Sequence, residues 1–165
     1  MLFNNGAFAI LAAVEDVPTD ALRAIFEANF FGWHTLTRLA LPVMFAQKSG
    51  RIIQNSSVLG FAAMRFRGAY VASKFALEGL TDTLRLELDG SGVHAILIEP
   101  GPIRTKIREN AFLQFNKWIN WQEARQKSTY QNKLIPRLSM ENSGKDLFEL
   151  PAASVSEAVW KASTA

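Results

Sequence analysis

The sequence contains no cysteine and only two histidines, His34 and His94, among its 165 residues. Without cysteine the chain can form neither a disulfide nor a thiolate metal site. The two histidines do not pair in sequence, so we expect no histidine-based metal centre and assign no metal ligand.

Long apolar runs are also missing. None approaches the roughly 20 residues that a membrane-spanning helix needs, so we expect no membrane span. Residues 6–14 (GAFAILAAV) are apolar, but no basic segment precedes them and Glu15 and Asp16 follow directly, unlike a signal peptide. We therefore expect a cytoplasmic protein.

Charge of one sign does not dominate either. The net charge is +3 and the lysines and arginines are scattered, which favours an ordinary solvated surface over nucleic-acid binding. Hydrophobic residues make up 48% of the chain, as expected for one packed domain rather than a disordered chain.

One stretch of the sequence carries a chemical pattern. A strand-like run, 51–55 (RIIQN), is followed by Ser57, and a helix-like segment then carries Tyr70 and Lys74, whose spacing of four puts them on one helix face. A phenol has a pKa of about 10, and a neighbouring cation lowers it. Ser57 follows a strand end, where open α/β sheets bind ligands, and its hydroxyl could bond a substrate oxygen. The pattern suits interconversion of an alcohol and a carbonyl.

The spacing of Ser57, Tyr70 and Lys74 resembles the active-site motif of the short-chain dehydrogenase/reductase family. The segments NSSVLG and GAYVASKFALEGL are similar to the branch that contains hydroxysteroid and retinol dehydrogenases. The resemblance implies NADP or NAD as cofactor, with NADP slightly favoured, and a small-molecule alcohol, ketone or aldehyde as substrate. It implies that Tyr70 is the acid/base, that Lys74 lowers its pKa and binds the nicotinamide ribose, and that Ser57 polarises the carbonyl. Ser57 and Tyr70 are then the substrate contacts.

Three further segments resemble the family in the same order. Residues 4–7 (NNGA) resemble its Asn-Asn-Ala-Gly strand end with the last two residues exchanged, and residues 100–105 (PGPIRT) resemble its Pro-Gly motif. Asn29 resembles the catalytic asparagine of its central helix, which holds a water that links the lysine to solvent. The resemblance implies cofactor contacts from Asn4, Gly6, Tyr70, Lys74, Pro100, Gly101, Ile103 and Thr105.

The family's glycine-rich turn, which receives the cofactor pyrophosphate, is not present, and the ten glycines are scattered. We therefore expect a partial Rossmann-like α/β fold, a doubly wound parallel sheet in αβα layers, without the N-terminal βαβ units and the last strand. The alternative function is that of a catalytically silent truncated fragment, or of a non-enzymatic oligomerising subunit.

Alternating strand-like and helix-like segments support the α/β class independently of the resemblance. The predicted elements are parallel strands near 1–5, 51–56 and 93–98 and long helices at 20–48, with Gly50 as its stop, and 68–88. In the second helix the leucines form an apolar stripe, and Glu78 is expected on the solvent side. The resemblance implies a homo-oligomer that associates through these two helices.

We expect a single domain over 1–165, with a catalytic core at 1–105, a substrate lid at 106–138 and a C-terminal loop and helix at 139–165. The loop is predicted at 139–145. Two interpretations are open for the four lid aromatics, which either line an apolar pocket or pack as in an ordinary surface helix. These residues are Phe112, Phe115, Trp118 and Trp121.

Overall fold

The computed structural model describes residues 1–139 and 148–164. Its main sheet has three parallel strands in the spatial order of the sequence. They are β1 (Leu2–Asn4), β2 (Gly50–Asn55) and β3 (Val93–Ile98). Ile52 at the centre pairs with Leu2 on one side and Ala95 on the other. The prediction of an α/β fold with a parallel sheet is therefore confirmed. Apolar strands of this kind require cover on both faces of the sheet.

The first crossover is one long helical segment with a change of geometry inside it. It consists of α1 (Thr19–Phe26), a π-helical turn (Glu27–Phe31) and α2 (Gly32–Gln47). The segment ends at Lys48, which adopts a left-handed φ of 51°, and not at Gly50, which is already the first residue of β2. The prediction that Gly50 stops this helix is therefore wrong.

The second crossover is α3 (Gly68–Glu87), which connects β2 to β3. Leu84 and Leu88 pack with Ile52 and Val93 in a hydrophobic cluster, as the predicted apolar stripe requires. Glu78 is not on the solvent side as expected. Its carboxylate is half-buried against the loop that follows β2, because the helix presents positions 70, 74 and 78 to the same strand end.

The segment predicted as the substrate lid is a set of short helices that pack on a second hydrophobic cluster. They are α4 (Ile107–Trp118), α5 (Lys127–Thr129), a π-helical turn (Tyr130–Leu134) and α6 (Ile135–Ser139). Phe115 and Tyr130 are fully buried there, with ring centroids 5.5 Å apart. The other three lid aromatics pack at the edge of the same cluster, so the packing interpretation is correct and the pocket interpretation is wrong.

The C-terminal part returns to the sheet. A short parallel pair, β4 (Ile103–Arg104) with β5 (Leu150–Pro151), leads into α7 (Ala152–Thr164). The Arg51 guanidinium of β2 donates to the Ala162 carbonyl of this helix at 3.1 Å. Of the predicted loop at 139–145, residues 140–145 lie outside the described residues.

Within residues 1–139 and 148–164, no helix combines the length and the apolar character needed to cross a bilayer. In the same ranges, no three acidic or histidine side chains lie close enough together to hold a metal ion.

Gly92 is the position in the main sheet region where the backbone most clearly requires glycine. Its φ is +77°, and a Cβ there would lie 2.2 Å from the Lys48 carbonyl oxygen. We predict that Gly92→Ala lowers the free energy of unfolding by about 2 kcal/mol or more, because strain and clash add. The matched control is Gly79→Ala on α3, where a Cβ meets nothing within 4 Å. We expect that variant to be more stable by roughly 0.5–1 kcal/mol. Equal stabilities in urea titrations would contradict the prediction.

Candidate active site

The carboxyl ends of the three main strands border one cavity of about 910 Å³. This volume lies within the range of small-molecule sites. Ser57, Tyr70 and Lys74 all line it, so the structure brings together the three residues that the sequence singled out. Their side chains come from two elements, the loop after β2 and the first turns of α3.

Ser57 is held at the strand end by its own backbone turn. Its Oγ accepts the Leu59 amide hydrogen at 3.1 Å and lies 3.5 Å from the Pro100 carbonyl oxygen. Its hydroxyl also interacts with the Tyr70 phenol and lowers the pKa of that phenol. The serine therefore presents its hydroxyl and the phenol to the same part of the cavity.

Tyr70 is buried, and burial is the largest influence on its phenol. Burial raises the pKa of Tyr70, while Ser57 and the Arg67 guanidinium oppose the rise. The expectation that the pKa of Tyr70 lies below that of free tyrosine is therefore wrong for this arrangement. The phenol is a neutral acid at neutral pH.

Lys74 is almost completely buried, with 1% of its surface exposed. Its Nζ donates to the Asn55 carbonyl oxygen at 2.8 Å and lies 5.6 Å from the centre of the Tyr70 ring. Burial lowers the pKa of Lys74 to about 7, and the Glu78 carboxylate opposes this effect. Burial thus favours the neutral amine, and the charge of Lys74 depends on neighbouring groups that compensate for the lost water.

Sequence reasoning missed the environment of Lys74 on two sides. Trp33 on α2 lies beneath the ammonium, with Nζ 4.4 Å from its ring centre. Glu78 lies beside Ser56, and burial raises the pKa of the Glu78 carboxyl while the Ser56 hydroxyl lowers it. A Cβ at Gly60 would lie 2.6 Å from Glu78 Oε1, so the glycine leaves room for this carboxylate. The spacing of four from Tyr70 through Lys74 to Glu78 was the available signal.

Asn29 is fully buried in the π-helical turn and joins three parts of the chain. Its Nδ2 donates to the Phe8 carbonyl at 2.9 Å and to Ser73 Oγ at 3.2 Å, and its Oδ1 accepts the Phe8 amide hydrogen at 3.1 Å. Both amide hydrogens are therefore engaged, and one lone pair of Oδ1 remains for a water molecule. The arrangement fixes the loop after β1 against α3.

Six of the eight residues expected to contact a cofactor line the cavity, and two do not. The Asn4 side chain faces α2 and not the cavity. Its Nδ2 donates to Gln54 Oε1 at 2.8 Å and to Thr37 Oγ1 of α2 at 3.4 Å. Gly6 is also absent from the lining. Side chains alternate between the faces of a strand, so the neighbouring residues Asn5 and Ala7 line the cavity instead.

The lining has hydrogen-bonding capacity that suits a nicotinamide nucleoside. The Lys74 ammonium has three donors, of which one is used by Asn55 O within the described residues. Asn55 Oδ1 is buried and accepts no hydrogen bond there. Ribose hydroxyls and a carboxamide could use these groups, together with the backbone of Ile103 and the hydroxyl of Thr105.

Comparisons with known proteins agree with this geometry. A family model described as short chain dehydrogenase matches residues 1–115. YbbO, an uncharacterized oxidoreductase of Escherichia coli strain K12, is 46% identical over 109 residues, which cover 66% of this chain and 40% of YbbO. Human retinol dehydrogenase 8 is 34% identical over 114 residues, covering 69% of this chain and 37% of that protein. The chain thus spans about 40% of the length of these curated relatives.

Solved structures of named dehydrogenases are also similar to this chain. A 4-hydroxyisoleucine dehydrogenase complexed with NADH and succinate superposes with a TM-score of 0.59 at 29% identity, covering 61% of this chain and 48% of that one. A gluconate 5-dehydrogenase from Burkholderia cenocepacia in complex with NADP and tartrate gives a TM-score of 0.63 at 25% identity, covering 65% and 42%. The residues that the family model matches contain the three main strands, both crossovers and the Ser57–Tyr70–Lys74 site, and the chain belongs to the short-chain dehydrogenase family.

Proposed function

We propose that the complete protein is an NAD(P)-dependent oxidoreductase that interconverts an alcohol with a ketone or an aldehyde. The observation that carries this proposal is the convergence of the Ser57 hydroxyl, the Tyr70 phenol and the buried Lys74 amine on one cavity. Family membership and neighbours with bound NADH or NADP support a nicotinamide cofactor. The cofactor, when bound, supplies the hydride chemistry.

In the proposed reduction, Tyr70 is the proton donor. Burial keeps its phenol protonated at neutral pH, so an O–H is available for the carbonyl oxygen. The Ser57 hydroxyl donates to the same oxygen and stabilises the negative charge that develops on it. In the proposed oxidation the roles reverse, and the phenolate accepts the proton of the alcohol.

Lys74 acts on both the cofactor and the phenol. Its free ammonium donors bind the nicotinamide ribose, and its charge stabilises the phenolate that remains after proton transfer. With a pKa of about 7, Lys74 carries this charge over only part of the neutral range. A neighbouring group that keeps Lys74 protonated at higher pH therefore extends the pH range over which the proposed reaction runs.

The rest of the cofactor site follows from the lining. Asn5 and Ala7 lie at the end of β1, and the turn 100–105 lies opposite them at the end of β3. We assign the first pair to the ribose side and the turn to the nicotinamide. Asn29 contributes by fixing the loop after β1, and its remaining lone pair is available to a water molecule of a proton relay.

The wall of the cavity is mainly apolar, although Arg67, Lys106, Arg108 and Arg137 also line it, and this favours a substrate with a hydrocarbon body. The apolar side chains are Leu11, Leu59, Met64, Ile107, Ala111, Leu134 and Leu138. A relative named retinol dehydrogenase, an enzyme named for an apolar alcohol, is consistent with this wall.

We also propose that the complete protein is a homo-oligomer that associates through α2 and α3. Both helices expose large apolar side chains, as a surface that associates with another copy requires. These side chains are Leu36, Leu39, Val43, Phe75 and Leu86, with exposed fractions of 45–80%.

Tyr70→Phe in the complete protein should lower the turnover number by a factor of roughly 10²–10⁴, because the proton donor is lost. Tyr130→Phe is the matched control, since Tyr130 is the only other tyrosine. Its hydroxyl bonds Asp16 and the Ala13 amide of the loop after β1, and Tyr130 is not among the residues that line the cavity. We expect this control to lose stability and to keep its turnover number. Steady-state rates near wild type for Tyr70→Phe would refute the assignment.

Lys74→Met should change how stability depends on pH. Because the folded pKa of Lys74 is about 7 and the ordinary pKa of a lysine side chain is 10.5, the unfolded chain binds more protons between these pH values. The wild-type free energy of unfolding should therefore rise from pH 7 to pH 10.5, by at most about 1.4 kcal/mol per pH unit from this group. Lys74→Met should lack this component, whereas Lys117→Met, at an exposed lysine, should retain it. Equal slopes in all three proteins would show that Lys74 has an ordinary pKa.

Leu39→Glu on α2 should convert the complete protein to a monomer, because it places a charge in the proposed interface. Leu39 is 69% exposed, so the folded protomer itself should tolerate the change. Leu113→Glu on α4, where the leucine is 61% exposed, is the matched control and should leave the mass unchanged. Light scattering at micromolar concentration measures both, and a monomeric wild type would contradict the proposal.

A further inference from the structure

Trp33 has no part in the function argued so far, yet it makes the closest aromatic contact with Lys74. The Lys74 Nζ lies 4.4 Å from the centre of the indole ring, compared with 5.6 Å for the Tyr70 ring. Trp33 is 4% exposed and Lys74 is 1% exposed, so little water separates them. A cation within about 6 Å of an aromatic face is attracted to it, most strongly for tryptophan and for buried pairs.

The orientation of the indole is fixed from its edge. Trp33 Nε1 donates to the Gly6 carbonyl oxygen at 2.9 Å. One helical turn earlier, Asn29 holds the same loop through both backbone groups of Phe8. The ring therefore cannot turn freely, and it presents its face and not its N–H to the Lys74 ammonium.

The other groups around Lys74 leave the charge only partly compensated. From β2 it donates to the Asn55 carbonyl oxygen; on α3 the centre of the Tyr70 ring lies 5.6 Å away, and the Glu78 carboxylate acts on it electrostatically. Glu78 is the only acidic group that acts on it within the described residues. Burial also favours the neutral form of Glu78, and a neutral carboxyl group does not compensate the charge of Lys74.

We propose that Trp33 is a positioning residue for Lys74, and that its indole face holds the ammonium beside Tyr70 and keeps it charged although the Lys74 side chain is almost completely buried. The effect of Trp33 on catalysis rests on the proposed oxidoreductase mechanism. The contact between Trp33 and Lys74, and its effect on the charge of Lys74, do not depend on that mechanism.

The test is the titration of Lys74 itself. The complete protein is labelled with ¹³C at the lysine Cε carbon, and the Lys74 resonance is identified by its loss in Lys74→Arg. In Trp33→Leu we expect the midpoint of Lys74 to fall by about one pH unit, because the aromatic face is removed. Trp33→Phe retains an aromatic face and loses the bond to Gly6, so its midpoint should fall less.

Replacement of all tryptophans by 5-fluorotryptophan gives a second test that preserves shape and the Nε1–H donor. Fluorine withdraws electrons from the ring face, so the Lys74 midpoint should again fall. This protein decides the question even where Trp33→Leu fails to fold. The matched control is Trp118→Leu, because the exposed Lys117 has its Nζ 4.7 Å from the ring centre of the half-buried Trp118, away from Lys74. That variant should leave the Lys74 midpoint unchanged.

The possible outcomes separate this inference from the proposed function. A midpoint that stays the same in Trp33→Leu and in the fluorinated protein overturns the inference, and so does a rise, which is the result expected if the indole only excludes water. Neither result depends on activity. If the protein reduces carbonyls, the pH profile of Trp33→Leu should shift with the Lys74 midpoint, with turnover recovering at lower pH. If it reduces none, the proposed function fails while the titration result stands.

Discussion

The buried amine of Lys74 is the constraint on which the site depends. An ammonium taken out of water loses hydration that its surroundings must replace, or its pKa falls until it is neutral. Here the replacement comes from the carboxyl end of β2, from the face of Trp33 and from Glu78. These groups come from three elements, so the sheet and both crossovers must be in place before the charge is stabilised. Fold and site are therefore coupled through one side chain.

The alternation of strands and helices along the chain explains how residues distant in sequence line one cavity. Each parallel strand ends at the same edge of the sheet, and each crossover helix returns beneath it, so residues distant in sequence meet there. The loop after β1 is fixed by Asn29, and the loop after β2 is fixed by Ser57 and Gly60. Tyr130 joins the helices at 127–139 to the loop after β1, because its hydroxyl bonds Asp16 and accepts the Ala13 amide hydrogen. Local hydrogen bonds at loop ends thus position the chemistry that the sheet collects.

The sequence predicted those parts that depend on local pattern. Apolar strands and long amphipathic helices are visible in the residue order, and so is the spacing of Ser57, Tyr70 and Lys74. It did not predict which face a short strand end presents, so Asn4 was assigned to the cavity and Asn5 was not. A shift of one residue reverses the face, and only the pairing of β1 with β2 fixes it. Glu78 and Trp33 were missed because their effect on Lys74 depends on three-dimensional contact across elements.

The proposed reaction at this site is hydride transfer from a nicotinamide to a carbonyl carbon. The most direct test uses NADPH and NADH deuterated at one face of ring position 4, with the complete protein and a panel of apolar ketones and aldehydes. Mass spectrometry and NMR then locate the label in the alcohol product. The account predicts one deuterium on the carbinol carbon, transferred from one face of the nicotinamide only. Folded protein that yields no alcohol with either cofactor, or an alcohol whose new carbinol hydrogen comes from solvent and not from the cofactor, would contradict it.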